Sequence, residues 1–401
     1  MLKYLPDGTV TSPKGFKAAG IHCGIKKAKK DLALIYSETP CSAAGTFTLN
    51  KVKAAPILIS KDTLSLRTKV RAVLVNSGNA NACTGKEGYD DALFSQHYLA
   101  STLNIKENEI LISSTGVIGQ RMPLPKLLNG IDQIVPFLSE DGGLDAAEAI
   151  MTTDLRKKSY AVSVKLSKGE ITIGAVCKGS GMIMPNMATM LAFITTDADV
   201  ETDYLQELLS DAVNISFNKI SVDGDTSTND MVTIMANGVS GITIDKGTED
   251  AGIFFSALSD LCKVMAKSIV GDGEGATKLV TVKIINAKSG RDADMIAKAI
   301  TISPLVKTAI HGADANWGRI ISAAGNSGAD FDPAKTGIYF DDLAVLLPGY
   351  NTVLDEEKAL EILTKDDFTI TLDLNDGSYS ATWWTCDFSM EYIKINGSYR
   401  S

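Results

Sequence analysis

The segment CKGSGMIMPNMATMLAFITTDAD, residues 177–199, sets a small hydroxyl residue, Thr189, in an apolar stretch punctuated by one proline. A threonine in such company ordinarily does no more than satisfy its hydroxyl on the backbone of a core element. Here Lys178, Gly179 and Gly181 precede it. They supply a cation and room around the peptide bond, which is what an activated nucleophile needs. The bond that matters joins Ala188 to Thr189. Attack of the Thr189 Oγ on the Ala188 carbonyl turns the amide into an ester that water can open, leaving a chain that begins at Thr189. Its new α-amine, with an ordinary pKa of about 7.7–8.0, can take the proton from its own hydroxyl near neutral pH. One residue then supplies both nucleophile and base, a variant of triad chemistry that needs no histidine.

The other reactive side chains point elsewhere less strongly. The three histidines, His22, His97 and His311, stand far apart, so a Ser-His-Asp or Cys-His arrangement stays open only through distant contacts. The six cysteines are scattered, with no C-x-x-C pair and no histidine at ligand spacing, so neither a disulfide framework nor a zinc site is expected. The loop SVDGDTSTND holds Asp223, Asp225 and Asp230 but lacks the closing bidentate glutamate of a calcium loop, and reads as a polar, hydrogen-bonded turn. GDGEG, residues 271–275, lacks the Lys-Ser/Thr of a phosphate loop.

Composition narrows the class. A chain of 401 residues with 45% hydrophobic residues can bury large cores in two or three domains. Its net charge is −9, and its one basic cluster is Lys26, Lys27, Lys29 and Lys30, so nucleic acid is not expected as a partner. The first residues lack the apolar core of a signal peptide and no window is apolar enough to span a membrane, so a cytoplasmic protein without a membrane partner is expected.

The elements that must position the chemistry read as follows. VRAVLVNSGNANACTG gives a buried strand, Ala72 to Val75, running into a Gly/Asn-rich loop, and EILISSTGVIGQRMP repeats the pattern with a strand at Ile110 to Ile112 and a loop at Ser113 to Gly119. YAVSVKLSKGEITIGAVC predicts a hairpin about its Ser-Lys-Gly-Glu turn. DYLQELLSDAV and IFFSALSDLCKVMAKSIV are amphipathic helices, with stripes at Leu205, Leu208, Leu209 and Ala212 and at Phe254, Leu258, Leu261, Cys262, Met265 and Ile269. LVTVKIINA returns to strand, a helix follows near Ala293 to Ala299, and FTITLDLNDGSYSATWW predicts a hairpin about Asp376 and Gly377. Mixed strands and helices throughout predict an α/β chain, an α+β layered sandwich with mixed sheets, divided into 1–279 and a smaller α/β domain at 280–401.

The segment KGSGMIMPNMATMLAFITTDA resembles the self-cleavage region of the ornithine acetyltransferase family, also called glutamate N-acetyltransferase, of the cyclic arginine pathway. VNSGNANACTG, SSTGVIGQRMP, AIMTTDLRKK, SVDGDTSTND, GDGEGATKL, ANWGRI and the final INGSYRS agree with it in the expected order over most of the chain. The resemblance implies an N-terminal-nucleophile-like acyltransferase, cleaved between Ala188 and Thr189, with Thr189 as nucleophile and the fragments 1–188 and 189–401 staying associated as a heterotetramer. It makes Thr115 and Gly116 the oxyanion hole, where each donor is worth about 3–4 kcal/mol. It assigns substrate contacts to Thr152, Lys178, Thr189, Glu274, Asn396 and Ser401, so that the C-terminal tail closes the site. A lysine for the carboxylate and a glutamate for the ammonium suit an amino-acid substrate. The implied reaction moves the acetyl group of N-acetylornithine to glutamate by a ping-pong cycle, with no cofactor and no metal.

Three other readings stay open at this point. A bifunctional enzyme would also accept acetyl-CoA. An amidase or aminopeptidase with an N-terminal nucleophile would give the acyl group to water. A binding protein would keep the bond before Thr189 intact. Removal of residues 396–401 is expected to raise KM for N-acetylornithine and glutamate while leaving cleavage unaffected; unchanged kinetics would take Asn396 and Ser401 out of the site.

Overall fold

The computed structural model describes residues 2–184 and 190–398, and within them the apolar and alternating runs become strands. In chain order these begin β1 (Leu2–Tyr4), β2 (Phe16–Ile21), β3 (Leu32–Phe47), β4 (Val70–Asn79), β5 (Ile110–Val117), β6 (Lys158–Leu166), β7 (Gly169–Lys178) and β8 (Leu191–Thr196). They continue with β9 (Ile220–Ser221), β10 (Met231–Ala236), β11 (Leu279–Ala287), β12 (Gly337–Phe340), β13 (Leu343–Leu347), β14 (Asn351–Thr352), β15 (Asp367–Asp373) and β16 (Tyr379–Cys386).

Two units result. The first is Met1–Gly179, Ile183–Asn218 and Asp225–Ala266; the second is Ser180–Met182, Lys219–Gly224 and Lys267–Ser401. A division at 280 therefore differs from the structure in three stretches, 180–182, 219–224 and 267–279. One physical reason is β9, which pairs in parallel with β16 and so draws residues near 220 into the second unit.

The sheet of the first unit runs β1-β6-β7-β8-β10-β3-β4-β5, with β2 also paired to β3. It is mixed: β4–β5 and β8–β10 are parallel, while β3–β4, β3–β10 and β6–β7 are antiparallel. The expected strand at Ala72 to Val75 is β4, and its continuous apolar run follows from burial on both faces. Ala72 and Leu74 join one core with Leu32, Leu34, Ile110 and Ile112. Val73 and Val75 join another with Ala33, Ile35 and Leu111. Each fully buried aliphatic side chain contributes about 1.5–3 kcal/mol. The helix Gly85–Leu103 lies between β4 and β5 in the chain, and its residues Ala92, Leu99 and Ala100 enter the first of these cores. A crossover of this kind is what parallel neighbours require.

The expected hairpin of β6 and β7 is present, closing at Leu166 opposite Gly169. The helix Thr202–Asn214 buries Leu205, Leu208, Leu209 and Ala212. The helix Glu249–Val270 likewise buries Phe254, Leu258, Leu261, Cys262, Met265 and Ile269.

The second unit carries a sheet of order β14-β13-β12-β15-β11-β16-β9. Here the expected hairpin about Asp376 and Gly377 is corrected. β15 and β16 are strands, but β11 lies between them, parallel to β15 and antiparallel to β16. The connecting turn spans the end of β11, with Leu374 N donating to Ile285 O at 3.0 Å and Asp376 N to Asn286 O at 2.9 Å. Two alternating strands with a short Asn-Asp-Gly turn satisfy the local signal for a hairpin. The apolar LVTVKIINA, from 88 residues earlier by its β11–β15 register of Leu279 opposite Asp367, takes the central place instead. The helix after β11 is Gly290–Ile302, capped by Ser289, whose Oγ accepts from Asp292 N at 3.1 Å.

Among the described residues no helix is long and apolar enough to cross a membrane, and no three His, Cys, Asp or Glu side chains gather as metal ligands. Ile284, fully buried on β11, tests the corrected topology. Ile284→Ala is expected to lower the free energy of unfolding by about 2–5 kcal/mol in a urea titration. A loss below about 0.5 kcal/mol, the range of surface changes, would contradict a central β11.

Candidate active site

The loops expected after Val75 and from Ser113 are corrected: β4 continues to Asn79 and β5 to Val117, because the two Gly-rich stretches pair with each other as parallel strands. Their register sets Asn76 opposite Ser114, Ser77 opposite Thr115 and Gly78 opposite Gly116. The strands approach so closely there that a Cβ on Gly116 would stand 2.3 Å from the Gly78 carbonyl carbon and 2.6 Å from Asn79 N. Gly116 has φ 134° and Gly78 φ 98°, values that favour glycine. The sequence SSTG thus takes β5, just before its end at Val117, through a backbone turn that no larger residue at position 116 can make.

Side-chain amides hold this turn. Asn76 accepts from Ser114 Oγ at 2.5 Å and donates to Asn79 O at 2.9 Å. Asn229, from the STND loop, donates to Ala80 O at 2.7 Å and to Ser114 O at 2.8 Å, joining both loops. Asn79 donates to Gln120 O and Arg121 O, and the Arg121 guanidinium meets Asp91 and Glu87. Buried, paired amides of this kind make a network rigid.

Lys178, at the end of β7, reaches the turn: its Nζ donates to Thr115 Oγ1 at 3.4 Å. The bond is long, and its direction is informative. An ammonium has no lone pair, so Thr115 must accept and keeps its own hydrogen to give to a third atom. Thr115 and Lys178 are both buried.

Beneath Lys178 lies Asp154. Its Oδ1 accepts from Gly179 N and from Lys158 Nζ, each at 2.8 Å, and its Oδ2 accepts from Thr152 N at 3.0 Å. Its side chain is fully buried and that of Lys158 is 2% exposed. Burial alone would push the Asp154 carboxyl up; the charges of Lys178 and Lys158, with these hydrogen bonds, outweigh it and hold the group well below the ordinary carboxylate range. One carboxylate therefore ties the backbone of Thr152 to the residue after Lys178.

In the second unit Glu274 and Asn396 meet. Asn396 Nδ2 donates to Glu274 Oε2 at 2.8 Å and Glu274 N donates to Ser180 O at 2.9 Å. A Cβ on Gly181 would stand 2.4 Å from the Glu274 carboxyl carbon, so a side chain there would displace that carboxylate. The turn of GDGEG is held by the last helix, Met390–Gly397: Gly275 has φ 70°, and Ser389, capping the helix, donates to Gly275 O at 2.6 Å.

The structure thus joins Thr115 and Gly116 to Lys178, ties Thr152 to them through Asp154, and separately joins Glu274 to Asn396. Ala188, Thr189 and Ser401 lie outside the described residues. Asp154, Lys158, Asn76 and Asn229 were not singled out from sequence. For Asp154 and Lys158 the signal was present, since DLRKK carries opposite charges at four-residue spacing.

The ArgJ family model matches residues 17–401. The arginine biosynthesis bifunctional protein ArgJ of Chlorobaculum tepidum is 50% identical over 390 residues, 97% of this chain and 96% of its own. That of Caldanaerobacter subterraneus subsp. tengcongensis is 48% identical over 400 residues, 98% and 99% of the two chains. A chain in the crystal structure of ornithine acetyltransferase complexed with ornithine, from Mycobacterium tuberculosis, is 40% identical, with a TM-score of 0.44 over 46% of this chain and 99% of that one.

Asp154→Asn leaves Lys158 buried without its carboxylate and is expected to cost about 3–5 kcal/mol at neutral pH. Because the folded pKa is depressed, the wild-type advantage is complete above the unfolded value of about 3.9 and is lost as pH falls toward the folded value. Urea midpoints of the two proteins should converge below about pH 4. A gap constant across that range would show that the charge of Asp154 is not what stabilises the site.

Proposed function

The chain belongs to the ArgJ family, and from that premise we propose that it moves the acetyl group of N-acetylornithine to glutamate and also takes acetyl groups from acetyl-CoA. It is an acyltransferase of arginine biosynthesis. The observation that carries the site reading is the parallel pairing of SGN with STG, which sets Thr115 and Gly116 in one rigid turn with Lys178 donating to the Thr115 hydroxyl.

In the proposed cycle Thr189 is the first residue of the fragment 189–401. Its amine takes the hydroxyl proton while Oγ attacks the acetyl carbonyl of N-acetylornithine. The carbonyl oxygen becomes an oxyanion on Thr115 Oγ1–H and Gly116 N–H. Collapse breaks the C–N bond, ornithine leaves with the proton returned by the amine, and acetyl stays on Thr189. Glutamate's amine then attacks the ester by the reverse path. Lys178 serves the substrate carboxylate. Glu274 and Asn396 serve the ammonium, Thr152 adds a contact, and Ser401 belongs to the same set by resemblance.

Transfer between amide and ester needs no electron carrier, so no cofactor enters the scheme. A cytoplasmic location, assembly of the fragments as a heterotetramer, and a part for the chain's tail in binding amino acids belong to the same proposal. The second donor, acetyl-CoA, is favoured by the bifunctional names of the relatives at 50% and 48% identity.

The test is a pair of variants. Thr189→Ala is expected to run as one uncleaved band of 42.6 kDa on a denaturing gel and to transfer no acetyl group. Thr189→Ser should retain part of both activities, because only the hydroxyl is indispensable. Turnover by the alanine variant would remove the covalent mechanism, and intact wild-type protein with full activity would remove the self-cleavage.

A further inference from the structure

The basic cluster Lys26, Lys27, Lys29 and Lys30 has no task in the cycle just proposed, although it is conspicuous in a chain of net charge −9. Its loop, between β2 and β3, is wound round a buried anion. Asp31 is fully buried and accepts backbone N–H bonds from Cys23 at 2.6 Å, Gly24 at 3.1 Å and Lys26 at 2.8 Å. Gly24 and Lys29 both have positive φ, 91° and 71°. A shape set by a buried carboxylate and two left-handed residues is a fixed one, so the lysines are presented from a rigid frame.

Their charges are poorly matched. Lys30 is paired with Asp145 and Glu148. Lys27 and Lys29 are exposed, and among the described residues neither forms an ion pair. Lys126 adds another ammonium, donating to Gly24 O at 2.8 Å. Lys26 turns inward, with Nζ donating to Lys30 O at 2.8 Å and Met151 O at 2.7 Å. Burial, partly opposed by Asp31 and reinforced by the charges of Lys29 and Lys178, lowers its pKa to about 8. Positive charge outweighs counter-charge here, the condition under which a multiply charged anion binds well.

The loop is also next to the candidate oxyanion turn. A Cβ on Gly78 would stand 2.9 Å from Lys26 Cγ, and Gly78 is the ladder partner of Gly116. A long ligand with its acyl carbon at Gly116 and its arm folded back over Gly78 would carry phosphates to the exposed lysines of this loop. Of the substrates in the proposed cycle, N-acetylornithine and glutamate carry no phosphate. Acetyl-CoA has both a long arm and phosphate groups, and lysine is a common point-charge partner for phosphate.

We infer that residues 24–30 form the docking site for the phosphate groups of acetyl-CoA, with Lys27 and Lys29 as its cations and Lys26 holding the loop from within; this rests on the reading that the enzyme uses that donor. In the step it serves, the thioester C–S bond breaks, a C–O bond to Thr189 forms, and the hydroxyl proton leaves with the sulfur as free thiol.

The experiment compares cleaved wild-type enzyme with Lys27→Gln/Lys29→Gln and Lys27→Glu/Lys29→Glu, with glutamate as acceptor. Donors are acetyl-CoA, acetyl-pantetheine, which lacks the phosphates, and N-acetylornithine. Two exposed charge contacts predict that KM for acetyl-CoA rises about tenfold in the glutamine variant and further in the glutamate variant. Constants for acetyl-pantetheine and N-acetylornithine should be unchanged, and the KM for acetyl-CoA should rise with salt only in wild type. Unaltered acetyl-CoA constants in both variants would overturn the loop assignment alone. Wild-type enzyme that turns over N-acetylornithine but neither uses acetyl-CoA nor binds CoA in calorimetry would overturn the bifunctional reading, and the loop assignment with it.

Discussion

The candidate site depends on a backbone approach, the close pairing of β4 and β5 at Gly78 and Gly116. The strands can come this near only where position 116 carries no Cβ, and both glycines take backbone angles that other residues avoid. Parallel pairing in turn requires the long crossover that the helix Gly85–Leu103 supplies. Cores on both faces of β4 then fix the register, since a slip of one residue would exchange the faces. The geometry at Thr115 is thus set by the packing of Ala72, Val73, Leu74 and Val75, none of which touches a reacting atom.

Charge is managed with similar economy. Lys178 can sit buried beside a neutral hydroxyl because Asp154 lies close enough to compensate it, and Asp154 can be ionised at full burial because Lys158 and two backbone N–H groups share it. Buried ions that satisfy one another in this way contribute little net stability; what they do is define one arrangement. The same logic recurs at Asp31, which organises three N–H groups so that a loop of lysines keeps its shape.

Much of this was legible from residue types. The apolar runs of β4, β5 and β11 and the stripes of the helices Thr202–Asn214 and Glu249–Val270 are local signals, and local packing decides them. The partner of each strand is a different matter. FTITLDLNDGSYSATWW has every short-range mark of a hairpin, yet β11 intrudes, because pairing on either side of a central strand buries more apolar surface than one hairpin can. For the site, Lys178 stood out by its setting, whereas Thr115 and Gly116 came from the resemblance. Asp154 and Asn229 did not stand out, because an aspartate and an asparagine among polar neighbours look like any solvated loop until the fold brings Gly179 and Ala80 to them. Thr189 was the most informative residue of the sequence, and its proposed chemistry rests on the resemblance.

The central claim is that acetyl rests on one threonine between donor and acceptor. Mass spectrometry of enzyme quenched during turnover of N-acetylornithine, with glutamate withheld, tests it most directly. The account predicts a fragment 189–401 heavier by a single acetyl group, located on the Thr189 side chain and discharged when glutamate is added. Transfer activity with no acetyl on that fragment at any time in the cycle would contradict it.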